Sequence, residues 1–109
     1  MATNSFTHLF DGIPLPMLLF RADGTIIACN HSFMDRFGYD LADLTTMADW
    51  WRLSSGDPAL AARSTLRHTP SMRRAFSEGM DIEASEYRVL GKGGDEFIVR
   101  MSGVAMEAA

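Results

Sequence analysis

Apolar residues open the chain as Phe6, Leu9, Phe10 and Ile13, an i, i+3, i+4, i+7 spacing that puts them on one stripe of a short helix. Asn4 or Ser5 is placed to cap it. Pro14 and Pro16 end it, because each lacks an N–H and Pro14 disfavours helical geometry at Ile13. The pattern then turns strand-like over residues 17–21. Asp23-Gly24, a tight-turn dipeptide, separates this run from the β-branched Thr25-Ile26-Ile27, and the two runs are expected to pair as an antiparallel hairpin.

Helical spacing resumes after the hairpin. Asn30 is a good N-cap for a helix carrying Phe33, Met34 and Phe37, stopped by Gly38, and Asp40 caps a further short turn through Leu41 and Leu44. Trp50, Trp51 and Leu53 predict a short helix, followed by a loop at Ser54-Ser55-Gly56. Asp57-Pro58 then opens a helix anchored by Leu60 and Leu66. Pro70 predicts a break near Thr69, with a further helical stretch through Met72 and Phe76 to Gly79. Residues 82–90 and 96–101 alternate around the turn-rich 91–95 segment, which predicts a second hairpin. The connections are too short for a doubly wound parallel sheet, so the fold class is α+β: an antiparallel sheet with helices on one face.

The apolar content, 47% of 109 residues, suits one ordinary core and leaves no room for a second. A net charge of -4, with both signs mixed along the chain, removes the main electrostatic reason to expect nucleic-acid or anionic-membrane binding. Cys29 is the only cysteine, so an intrachain disulfide is impossible and a reducing, cytoplasmic setting is expected. The longest apolar run, residues 13–20, contains two prolines and falls short of the ~20 residues that span a bilayer. No membrane insertion is expected in this segment.

Asp23-Gly24, Asn30 ahead of Phe33, then Gly38-Tyr39 and Leu44 resemble the N-terminal half of PAS domains. Trp51 ahead of Asp57-Pro58, then Glu86-Tyr87-Arg88-Val89, Lys92, Gly94 and Val99, resemble that family's long helix and closing hairpin, so the resemblance covers nearly the whole chain. It implies a sheet of five antiparallel strands in spatial order 2-1-5-4-3, with helices enclosing a pocket against one face. Four strands are visible, and the fifth, central in the family, is absent or replaced. An unfilled gap leaves two rows of backbone polar groups unpaired. Closure is therefore expected by direct pairing of the first and fourth strands, by a segment of another chain, or by water. The implied role is a non-catalytic sensory module regulating an output domain such as a bacterial histidine kinase or diguanylate cyclase. A ligand-free interaction or dimerisation module is the alternative.

Several residues invite a chemical reading. Gly93-Gly94-Asp95-Glu96-Phe97 spells the signature pentapeptide of diguanylate cyclases. Such an enzyme also needs acidic metal ligands on an earlier strand. The upstream sequence has no Asp-rich strand, so the pentapeptide is read as a decoy within a hairpin turn and no catalytic or metal-binding residue is assigned. Cys29 lacks the helical Asn-Cys-Arg-Phe-Leu-Gln context of flavin-reactive photoreceptor domains and is read as a buried structural thiol. His68 is the candidate haem ligand by analogy with haem-binding relatives, although a helix-end histidine is preferred. Neither haem nor flavin is expected.

Phe33, Met34, Phe37, Trp51, Leu60 and Leu66 are the candidates for lining a ligand pocket, with core packing as the simpler role. Ile26 and Ile27 point oppositely, as do Phe97 and Ile98, so both faces of the hairpins are apolar and the outer face needs a cover. The N-terminal helix, residues 1–13, is the expected cover or dimer contact through Phe6, Leu9, Phe10 and Ile13. Residues 14–109 are expected to form the PAS-like core, with truncation before its last strand as one reading of the missing fifth strand. The expected partners are a second copy of the chain and a small-molecule ligand of unknown identity.

Overall fold

The structure, a computed structural model, describes residues 2–57, 59, 63, 74, 77–78 and 82–103. Helix α1 spans Ala2–Gly12 and leads into β1 (Leu18–Phe20) and β2 (Ile26–Cys29). Helices α2 (His31–Phe37) and α3 (Met47–Ser55) follow, and β3 (Ile82–Leu90) and β4 (Glu96–Gly103) close the described chain. Asn4 and Ser5 lie inside α1 and do not cap it, because no proline or glycine opposes helical geometry from Ala2 onward. Its end falls where the prolines place it, with Ile13 N–H donating to Phe10 O at 3.3 Å.

The first hairpin pairs Leu18 with Cys29, Leu19 with Ala28 and Phe20 with Ile26, with an irregularity between Leu19 and Phe20. Its turn is closed by Arg21 N–H to Thr25 O at 2.8 Å and Gly24 N–H to Arg21 O at 2.9 Å. Asp23 Oδ1 accepts from Thr25 N–H at 2.8 Å. Hydrogen bonds from Thr25 hold the Asp23 carboxyl below its usual pKa. The far edge of β2 is covered by the segment before α3, through Ile26 N–H to Thr45 O and Met47 N–H to Gly24 O.

Asn30 caps α2 as its sequence position predicts, and Gly38 ends that helix in the left-handed region. Thr46 caps α3 in a reciprocal arrangement with Asp49 that the tryptophan pattern alone did not reveal. Burial works against the Asp49 carboxylate, but hydrogen bonds from Arg52, Thr46 and Thr45 outweigh it and lower its pKa. The loop expected at residues 54–56 is shorter. Ser54 stays helical and buried, its hydroxyl donating to Trp50 O at 2.6 Å, and the chain turns only at Gly56. Ala59 N–H donates to Asp57 Oδ1 at 2.8 Å, as the expected cap requires. Leu60, Leu66, His68, Met72 and Phe76, with the break at Pro70, lie outside the described residues.

In the second hairpin Tyr87 pairs with Val99, Arg88 with Ile98 and Val89 with Phe97. Gly91 N–H reaches Asp95 O at 2.8 Å to close its turn. The two hairpins form separate two-stranded sheets, β1-β2 and β3-β4. Direct pairing of the first and fourth strands is therefore not the way the expected gap closes. The second hairpin is tied to helices instead: Lys92 N–H donates to Phe37 O at 2.8 Å, and β3 packs on α3. With only three residues, β1 also has little edge to offer.

The core lies between the helices and the inner faces of both hairpins and contains Ile26, Cys29, Phe33, Phe37, Tyr39, Leu44, Trp50, Trp51 and Val89. The expected alternation is present: Ile26 is buried while Ile27 is exposed, and Phe97 packs on the core while Ile98 is 73% exposed. Helix α1 packs against α2 and leaves Ile98 uncovered. Among the described residues no helix is long and apolar enough to cross a membrane.

Candidate functional site

Four elements bring rings together because each presents aromatics on its buried side. Phe33 and Phe37, one turn apart on α2, stack edge to face at 5.1 Å between ring centroids. Trp50 of α3 lies 5.3 Å from Phe33 and 5.8 Å from Phe37. Trp51 extends the cluster toward the sheet and meets Tyr87 of β3 at 5.6 Å, while Phe37 meets Phe97 of β4 at 5.2 Å. Of the expected pocket residues, Phe33, Phe37 and Trp51 thus belong to one aromatic box, and Met34 packs against it half-buried.

Tyr39 was not singled out by spacing, yet it joins this box 6.2 Å from Trp50. Its hydroxyl lies 2.8 Å from Leu90 O and 3.2 Å from Leu53 O, so its proton serves the end of either α3 or β3. Burial, then the nearby Asp43 carboxylate, raises the Tyr39 pKa. The signal available in the sequence was its position directly after the helix-ending Gly38, where an aromatic body with a polar tip can leave the helix and still be buried.

The box contains one unsettled polar atom. Trp50 is 2% exposed, and among the described residues its indole Nε1–H has no hydrogen-bond partner. The buried polar side chains among the described residues are Asn30 and Ser54, and both are engaged.

Asn30 holds the other end of the domain. Its Nδ2 donates to Leu15 O at 2.7 Å and lies 3.3 Å from Phe10 O and 3.4 Å from Ile13 O. Its Oδ1 accepts from Met17 N–H at 2.9 Å and Phe33 N–H at 3.0 Å. One amide therefore fastens the exit of α1 to the start of α2. Of the expected dimer contacts, Phe10 is buried within its own chain and Ile13 is half-buried, whereas Leu9 is 71% exposed. The Phe6 side chain lies outside what is described.

The residues with alternative chemical readings take structural places. Gly93 and Gly94 form the second hairpin turn, and Gly94 adopts φ 93°, so glycine serves the turn there. Glu96 pairs with Arg88 across the strands. Cys29 is buried in the core, where burial, reinforced by Asp40 and Asp11, raises its thiol pKa and disfavours the reactive thiolate. Among the described residues no cluster of His, Cys, Asp and Glu is arranged to hold a metal ion.

Comparisons with known proteins agree with this architecture. A family model described as PAS domain matches residues 4–70. A domain of the sensory box sensor histidine kinase/response regulator from Geobacter sulfurreducens is similar in structure, with a TM-score of 0.66 and 23% identity over 93% of this chain and 81% of that one. The PAS domain of an HTR-like protein from Haloarcula marismortui is similar at a TM-score of 0.54 and 18% identity, with the same coverage of each chain. No curated protein matches the chain.

Proposed function

Because the chain belongs to the PAS domain family, we propose that it is a non-catalytic sensory module that binds a small molecule in its aromatic box and regulates an attached output domain. A histidine kinase or diguanylate cyclase is the kind of output domain such a module would control, in the cytoplasm. The observation that carries the reading is the convergence of Phe33, Phe37, Trp50 and Trp51 from two helices with Tyr87 and Phe97 from the second hairpin. A molecule held between helices and sheet favours one packing of those elements over another, and that bias is what an output domain can read.

The module acts as a homodimer in this reading, with the exposed Leu9 face of α1 as the contact. Native mass spectrometry with an absorption spectrum of the purified protein tests both parts. A retained small molecule and a dimeric mass are expected. A monomer that stays empty when screened against metabolites leaves neither part standing.

A further inference from the structure

Resting on the ligand reading above, we infer that the aromatic box selects an uncharged aromatic molecule bearing a carbonyl or ring-nitrogen acceptor, which accepts a hydrogen bond from Trp50 Nε1–H. A buried donor without an acceptor is costly, and folded proteins rarely keep one. Trp50 is enclosed and its indole N–H has no hydrogen-bond partner among the described residues. A molecule that enters the core and carries an acceptor would satisfy it.

Water fits the surroundings poorly, because an enclosed water needs two to four polar partners. The rings described around Trp50 are those of Phe33, Phe37, Tyr39 and Trp51. The Tyr39 hydroxyl is already taken up by Leu90 and Leu53, and the Ser54 hydroxyl donates to the Trp50 carbonyl. A water at Nε1 would face the largely apolar surfaces of these rings. A flat molecule with one acceptor on an apolar body satisfies the indole and stacks on the rings. The ligand is uncharged because no charged side chain is buried among the described residues to offset the desolvation of an ion.

Acetophenone and ethylbenzene make a matched pair of probes, alike in shape and differing in the acceptor. Titrations of the whole chain would follow intrinsic fluorescence and the indole N–H resonances by NMR. Acetophenone is expected to bind roughly five- to tenfold more tightly than ethylbenzene and to move the Trp50 indole N–H resonance. Trp50→Phe is expected to abolish that preference while both probes still bind. Equal affinities in the wild-type protein overturn the inference and leave the ligand reading intact, and so does a long-lived water at the Trp50 N–H that persists with acetophenone bound. Binding of neither probe overturns the ligand reading for this class of molecule, and the inference with it.

Discussion

Replacing Asn30 by alanine strands the carbonyl of Leu15 and the amides of Met17 and Phe33 around one fully buried position. The loss combines a helix cap with buried polar groups left unpaired, and should destabilise the fold by about 2–4 kcal/mol. Guanidinium denaturation checks it, as a lower midpoint at unchanged slope. A change below about 0.5 kcal/mol would mean that water takes over these bonds. The role of Asn30 as a cap could be read from its place before Phe33, Met34 and Phe37. Its grip on Leu15 and Met17 could not, since those bonds depend on how the exit of α1 folds back across it.

At the scale of elements, the turn after α2 and the turn of the second hairpin are joined by an ion pair. Lys92 Nζ lies 3.0 Å from Asp43 Oδ2. Hydrogen bonding to Lys92 lowers the Asp43 pKa, and hydrogen bonding to Asp43 raises that of Lys92. Stability from Asp43 is thus fully present above its ordinary value of 3.8 and is lost as pH falls through the lowered folded value. Stability from Lys92 is present below 10.5 and is lost as pH rises through the raised one. Denaturation of wild type and Asp43→Asn should differ at pH 7 and converge in strong acid, with the gap shrinking in high salt. A gap of equal size at low pH would assign the effect to something other than the ion pair. The junction of α3 with β3 gives a second test at Gly56, which has φ 69° and where an added Cβ would lie 2.6 Å from Leu90 Cδ1. Gly56→Ala should cost roughly 1–3 kcal/mol from the left-handed backbone and the displaced leucine, measured by thermal or chemical unfolding. Gly56 reads from the sequence as a loop glycine, but its closeness to Leu90 joins positions 34 residues apart and only the packed fold reveals it.

For the whole molecule, the proposal is a dimer, with the expected gap in the sheet closed by a segment of another chain or by water. Leu9→Asp should convert a dimer to a monomer by light scattering while changing stability by less than about 0.5 kcal/mol, since Leu9 is 71% exposed. Phe10→Asp is the poorer probe, because Phe10 is buried and its loss would perturb the protomer itself. Hydrogen exchange addresses the gap between β1 and β4. Amides of β4 that do not face β3 should exchange with little protection, and uniform protection along β1 and β4 would reveal a strand supplied by another chain. Local patterning by itself determined the hairpins, the cap at Asn30, the stop at Gly38 and the α+β class, because turn dipeptides, caps and alternation act over a few residues. The aromatic stripe on α2 and Trp51 of α3 were legible for the same reason. Only the tertiary structure decided that Tyr39, Tyr87 and Phe97 complete the aromatic box, that α1 leans on α2, and that the two hairpins stay unpaired. Those outcomes depend on contacts between residues far apart in the chain, where side-chain shape and the reach of each hydrogen-bonding group choose among arrangements that local patterning leaves equivalent.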